Sequence, residues 1–390
     1  MPGFELIGDE ERQAVLDIFD KYGGILFKHG FDAKRNGSFK VSEFEKAFAK
    51  YLGLDYAQAV TSGTAALKVA LEAIEIKPGD EVITQSFTFV ATVEAILECG
   101  ATPVLTDINE TLNMDPADLE RKITKKTRAI IPVHMYGVAA QMDEILAIAK
   151  RYGLLVIEDV AQAVGGRYHD RPLGSIGDAG TFSFDFGKAL TTGEGGMVVS
   201  GNKEIYLRAR EYADHGHENN PKLPRGEDSR RSGGFNYRMM ELQGAIGLVQ
   251  LGKLNYAIGQ QRKNKKRIKD GIRNTGKFKF GSYADEKGET ADTLVLIFDN
   301  PKQAKDFVTT IRGKGLGTKN LPDAFNWHFA GTWDHLFSEL DYYIHNSWKT
   351  QWSKSENLLR RTVALPVNIL MKDEQIGNMA VVINEAIGGL

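Results

Sequence analysis

The sequence predicts an α/β fold: a large domain built on a mainly parallel, seven-stranded type of sheet flanked by helices, followed by a smaller α+β domain. Three observations predict it. From about residue 59 short Val/Ile-rich runs alternate with amphipathic helical stretches, and past residue 240 one long helical pattern leads into a region with strand and helix signals of its own. Strands alternating with helices build a parallel sheet covered on both faces. Composition agrees: 42% hydrophobic residues, 26% charged residues and only 11 Pro among 390 give a sizeable core under an ordinary surface. That balance excludes disordered, collagenous and miniprotein chains.

Residues 9–21 and 42–52 carry helix-period apolar positions, and the glycine- and base-rich segment between them reads as an ordered loop. The strand candidates are DEVITQ, ATPVLTDI, TRAIIPVHMYG, GLLVIEDVA, GTFSFDF and GGMVVSG, separated by helical stretches such as GTAALKVALEAIE and MDEILAIAKRYG. In such sheets ligands sit beyond the C-terminal strand ends, so the residues just after each run are where chemistry is expected. A long helical pattern from 240 to about 274 ends in a basic run, which reads as a solvated face. The large domain is expected to span residues 1–250, and the small one residues 251–390, beginning in that bridging helix. All four tryptophans, Trp327, Trp333, Trp348 and Trp352, fall in the second part, as core packing or as the wall of a substrate pocket.

A net charge of -2, from 49 Lys+Arg against 51 Asp+Glu, leaves no footprint for nucleic acid or an anionic membrane. Any acidic ligand must be held by a local cluster. The single cysteine, Cys99, reads as a buried, inert thiol at a helix end and fits a reducing compartment. The N-terminal MPGFELIGDEERQAV is acidic where a signal peptide is basic, and no window approaches the roughly 18 apolar residues of a membrane span. The expected location is cytoplasmic, without membrane or nucleic-acid partners.

Several motifs fail on inspection. DAKRNGSFKVSE at 32–43 resembles a calcium loop, but Lys34 puts an ammonium where an oxygen ligand belongs. The GK at 187–188 lacks the flanking residues of a nucleotide loop, with Phe182 for Gly and Ala189 for Ser or Thr. His134, His169, His215, His217, His328, His335 and His345 are scattered without ligand spacing, so no metal is expected.

Three segments do converge. TSGTAAL at 61–67 places small residues at the start of a good helix, whose unpaired amides and positive dipole end suit a phosphate. In VIEDVAQAVGG at 156–166, Asp159 leaves a hydrophobic strand and needs either a structural partner or a cationic ligand atom. In GTFSFDFGKALTTGEGGMVVS at 180–200, Lys188 sits between apolar strands, where desolvation would free its amine for carbonyl chemistry. Twenty-nine residues separate Asp159 from Lys188, about one strand–helix–strand step, which sets the two on neighbouring strand ends. Together these are the parts of a pyridoxal 5'-phosphate (PLP) site: an anion seat, a carboxylate for the pyridinium nitrogen and an amine for the aldehyde.

With SFTF at 86–89, PVHMYG at 132–137, GFNYRM at 234–239 and LPV at 365–367, the chain resembles the DegT/DnrJ/StrS family of sugar aminotransferases, of the fold-type I PLP enzymes, from about residue 10 onward. SF-x₃-K-x₃-TGEGG carries most of the specificity. The resemblance implies that Lys188 is catalytic and carries the cofactor as an internal aldimine, that Asp159 meets the ring nitrogen, and that Gln162 lies near the phenolic oxygen. It implies an aromatic stack from Phe89 and phosphate contacts from Gly63, Thr64, Ala65 and Ser183. Asn236 would reach the phosphate of the second subunit, so a homodimer with shared sites is implied.

The expected reaction moves an amino group from L-glutamate to a sugar carbonyl, with Lys188 shuttling the proton. Arg238 is the candidate for the donor carboxylate. The segments at 29–40 and 326–335 resemble the branch that aminates the C8 aldehyde of a 3-deoxy-octulosonate, giving 8-amino-3,8-dideoxy-manno-octulosonate for lipopolysaccharide. Lys34, Arg35 and His328 are its candidate substrate contacts. A nucleotide-linked keto sugar is the alternative acceptor, and a noncatalytic sensor or a lyase of the same fold are the other classes.

Overall fold

The computed structural model describes every residue except 1, 2, 221, 225, 226, 339 and 345–347, so His345 lies outside the described residues. Two helices come first, α1 (Asp9–Asp20) and α2 (Lys40–Leu52). There follow β1 (Tyr56–Val60), α3 (Gly63–Ala73), β2 (Glu81–Gln85), α4 (Ala91–Glu98), β3 (Thr102–Thr106) and α5 (Pro116–Lys122). Next come β4 (Thr127–Ile130), α6 (Met142–Tyr152), β5 (Leu155–Asp159), a small hairpin of β6 (Arg167–Tyr168) and β7 (Arg171–Pro172), β8 (Ala179–Ser183), β9 (Gly196–Ser200) and α7 (Lys203–Tyr212). The six hydrophobic runs all became strands. β1 begins before the change of texture at residue 59, because its sequence YAQAV hides a buried strand behind small residues and Gln58, whose amide bonds the Ala59 carbonyl at 2.8 Å.

The large sheet runs β1-β9-β8-β5-β4-β2-β3. The five strands from β8 to β3 are parallel, and β9 is antiparallel to both of its neighbours. Alternation along each strand feeds two apolar layers: Ile83 and Val156 enter the one containing Phe44, Phe48, Phe182 and Phe184, while Val82 and Ile157 enter the one beneath α3. Each fully buried Phe contributes about 2 kcal/mol of hydrophobic stabilisation.

β5 and β8 pair directly, with Asp159 opposite Thr181, so Asp159 and the loop carrying Lys188 do lie at adjacent strand ends. The connection between them differs from the expected strand–helix–strand step. It contains the β6–β7 hairpin and turns through Gly165 and Gly174, both at positive φ. Gly-Gly at 165–166 and Pro172 leave no run long enough to nucleate a helix.

The long pattern is one helix, α8 (Glu241–Gly271). Most of its basic run faces solvent, but Lys265 is buried, bonded to Glu289 and, at 3.0 Å, to the Tyr283 hydroxyl. Beyond it β10 (Phe278–Phe280), β11 (Thr293–Phe298) and β12 (Thr362–Pro366) form an antiparallel sheet of order β10-β11-β12. It is covered by α9 (Pro301–Gly313) and the helix Asp373–Gly388. Residues between α9 and β12 pack instead on the large sheet's elements. Trp352 donates its indole N–H to the Leu105 carbonyl at 3.0 Å and Tyr343 its hydroxyl to the Pro103 carbonyl at 2.8 Å. Trp333 and Trp352 are core, as expected of packing residues, whereas Trp327 is exposed beside Phe89, with ring centroids 6.4 Å apart, and does not line the cavity described below.

Candidate active site

The C-terminal ends of β5 and β8, the start of α3 and the segment after α9 enclose a cavity of about 360 Å³. Its wall includes Gly63, Thr64, Phe89, Asp159, Gln162, Ser183 and Lys188, so seven of the nine expected cofactor contacts meet in one place. That volume lies within the range of small-ligand sites.

Asp159 ends β5 with its carboxylate buried. One oxygen accepts from the Ala161 amide at 3.1 Å and the other from the Thr92 hydroxyl at 2.9 Å. Burial raises its pKa, opposed by these two bonds and by the positive charge of Lys188. The neighbouring acid, Glu158, points to the opposite face of the strand. It is consumed there by His134 at 3.1 Å and by the amides of Gly174, Ile176 and Gly177 at 2.6–2.9 Å. Of these two adjacent acids Asp159 is the one that faces the cavity, and a cationic ring N–H would relieve the cost of its burial.

The start of α3, the expected phosphate seat, is capped by Ser62, which accepts from the Ala65 amide at 3.1 Å. The Ala65 N–H is therefore already used, and Ala65 does not line this cavity. That corrects the expected set: the amides at the open mouth of α3 are those of Gly63 and Thr64. A Cβ on Gly63 would stand 2.6 Å from the Ser183 Cβ, so glycine is needed for the strand and the helix to approach this closely. Desolvation pushes the Lys188 amine below the ordinary lysine range, and the carboxylates of Asp185 and Asp159 pull it back up.

From the segment between α9 and β12, His328 and Asn320 complete the wall. His328 packs at 5.5 Å from the Phe89 ring, and its carbonyl accepts from the Thr88 amide at 3.0 Å. Sequence reading missed Asn320, Thr92, Asp185 and Glu194, which also face the cavity or hold Asp159. Asp185 stands within the SFDFGK segment, so its proximity to Lys188 could have been noted. Asn320 carries no local signal.

Four expected contacts lie elsewhere. Asn236 is exposed and outside this chain's own cavity. Arg238 pairs with Asp214 and packs over Phe27, so gripping a donor carboxylate would require it to leave Asp214. Lys34 is exposed and away from the cavity. Arg35 is 1% exposed, bonded to the Phe27 carbonyl, 3.6 Å from Glu241 and stacked over Phe39. Its guanidinium serves the fold and does not face a substrate, which corrects that expectation. A buried guanidinium without its acid would be costly, which is why the fold keeps it there.

Residues 32–384 match the DegT/DnrJ/EryC1/StrS aminotransferase family. The chain belongs to that family. It is a PLP-dependent sugar aminotransferase of α/β fold. It is 47% identical over 218 residues to GDP-perosamine synthase of Caulobacter vibrioides, a match covering 55% of this chain and 57% of that protein's length. It is 33% identical to UDP-N-acetyl-3-dehydro-alpha-D-glucosamine 3-aminotransferase of Acidithiobacillus ferrooxidans, over 99% of this chain and 96% of that one. The structure of NtdA from Bacillus subtilis, solved with bound cofactor PMP, superposes with a TM-score of 0.85 at 26% identity, covering 99% of this chain and 84% of that one. Among the described residues no helix is long and apolar enough to cross a membrane. The residues at the cavity fit the family's cofactor: two free amides and a glycine cradle for its phosphate, a buried acid for its ring nitrogen, an amine of lowered basicity for its aldehyde.

Proposed function

We propose that this aminotransferase moves the amino group of L-glutamate to the C8 aldehyde of a 3-deoxy-octulosonate sugar, in a homodimer with shared sites and in the cytoplasm. The observation that carries the transfer chemistry is the meeting of Lys188 and Asp159 in one cavity, with the amine of depressed basicity. PLP, when bound, supplies the electron sink that makes the substrate's carbon–hydrogen bond acidic. Asp159 holds the ring nitrogen protonated. Lys188 would hold the cofactor's aldehyde, and its amine of lowered basicity would be the group that accepts and returns a proton there. Thr92 and the Ala161 amide keep the Asp159 carboxylate aimed, and Phe89 and Gln162, both on the cavity wall, would stack on the bound ring and bond its phenolic oxygen. Gly63, Thr64 and Ser183 take the phosphate, with Asn236 of one copy reaching the cavity of the other.

His328 supports the acceptor assignment, because the segment resembling the octulosonate branch supplies a wall of this cavity. A nucleotide-linked keto sugar is the second reading, favoured by the substrates named in the relatives' descriptions. Borohydride reduction of the loaded protein should place the adduct on Lys188, and Lys188→Ala should abolish it. An adduct mapped to another lysine would overturn the assignment. Turnover of the octulosonate aldehyde with glutamate, at a kcat/KM above that for GDP- and UDP-linked keto sugars, is expected. Turnover of the nucleotide sugars alone would replace the acceptor.

A further inference from the structure

The loop carrying Lys188 is not held only by its own strands. A short 3-10 turn at Gly3–Leu6 lies against it: the Gly3 amide donates to the Lys188 carbonyl at 2.9 Å. Phe4 stacks on Phe186, two residues before the lysine, with centroids 4.9 Å apart and planes 11° from parallel. Contact with the loop backbone is so close that a Cβ on Gly3 would stand 2.6 Å from the carbonyl oxygens of both Lys188 and Ala189. Only glycine fits there without moving the loop.

The same turn is tied to the rest of the molecule. The Glu5 carboxylate accepts from the Leu370 amide at 2.8 Å, just beyond β12. The Leu6 carbonyl accepts from the Lys253 amine, on α8, at 2.9 Å. Lys253 is in turn paired with Glu11 at 2.8 Å. One segment thus links the backbone of residue 188 to the bridging helix and to the small sheet, with no residue of its own on the cavity wall.

We propose that Gly3 and Phe4 are positioning residues for Lys188, forming a strap that sets the lysine's backbone against the small-domain side of the site. The proposal rests on Lys188 being the cofactor lysine. The strap acts through geometry: it fixes where the amine's backbone starts and leaves cofactor and substrate contacts untouched. A misplacement of about 1 Å in a reacting group costs on the order of 100-fold in rate.

The test compares wild type with Gly3→Ala, Phe4→Ala and Phe4→Tyr. In the cofactor-free protein, amide hydrogen exchange at residues 187–190 should quicken about tenfold in Gly3→Ala, the scale of one lost hydrogen bond with some repacking. In the loaded protein, the glutamate half-reaction should lose about 10- to 100-fold in kcat while KM for glutamate stays within about twofold. The pH at which the lysine-bound chromophore titrates should shift in the same variant. Phe4→Tyr, which keeps the stacked ring, should restore most of what Phe4→Ala loses. Unchanged exchange together with unchanged kcat in Gly3→Ala would overturn the strap. A borohydride adduct in wild type at a lysine other than Lys188 would instead remove the reading on which it rests.

Discussion

Asn320 donates its side-chain amide to Nε2 of His328 at 3.0 Å, while Nδ1 of the same ring lies 2.8 Å from the Ala324 carbonyl. Nε2 accepts, so Nδ1 carries the proton and the ring is neutral. Burial pushes its pKa down to about 4, with the charges of Lys188 and Lys319 acting in the same direction and the Ala324 carbonyl opposing. In the unfolded chain the ring titrates near 6.5. Between these values the unfolded chain binds a proton that the folded one does not, so stability falls as pH drops from 6.5 toward 4. The loss approaches about 3 kcal/mol as an upper figure. Denaturant melts of the cofactor-free protein at several pH values should show this slope, and His328→Gln should flatten it. An equal slope in the variant would place the acid sensitivity elsewhere.

The Asp185 carboxylate opposes the downward shift that burial imposes on the Lys188 amine. Asp185→Asn should therefore move the Lys188 midpoint further down. The rate at which cofactor-free protein condenses with PLP, followed by absorbance against pH, should rise with pH through a midpoint below lysine's ordinary 10.5 in wild type and at lower pH in the variant. An upward shift would contradict the arrangement.

Gly63 and Ser183 touch where α3 meets the end of β8. Gly63→Ala should weaken PLP binding by about tenfold or more, because the added methyl displaces the helix start from the phosphate. Adding Ser183→Gly makes room for that methyl but removes a hydroxyl assigned to the phosphate, so the affinity should stay low in the double variant. Equilibrium dialysis reads both. Unaltered affinity in the single variant would mean that the phosphate lies away from the α3 terminus.

The two tryptophan environments predict opposite consequences. Trp352, buried and bonded to Leu105, should cost about 3–5 kcal/mol when changed to alanine. Trp327, 62% exposed beside Phe89, should change stability by less than about 0.5 kcal/mol. Urea midpoints of the two variants decide between them.

The sequence by itself determined the sheet, because apolar runs buried on both faces must alternate with amphipathic helices whatever the details of packing. It also singled out Lys188, Asp159 and the start of α3 as candidates, each marked by a residue type at odds with its apolar or small-residue neighbours. β1 leaves little trace, as YAQAV lacks a hydrophobic run, and the spacing of the β5–β8 link suits a helix without showing what fills it. Only the tertiary structure decided which of Glu158 and Asp159 enters the cavity, since strand alternation sends adjacent side chains to opposite faces and pairing fixes the register. It also removed Arg35 from the substrate set, burying its guanidinium against Glu241, and brought Asn320 and Gly3 to a site far away in sequence. Local patterns record what each residue needs; which distant partner satisfies that need is settled by packing.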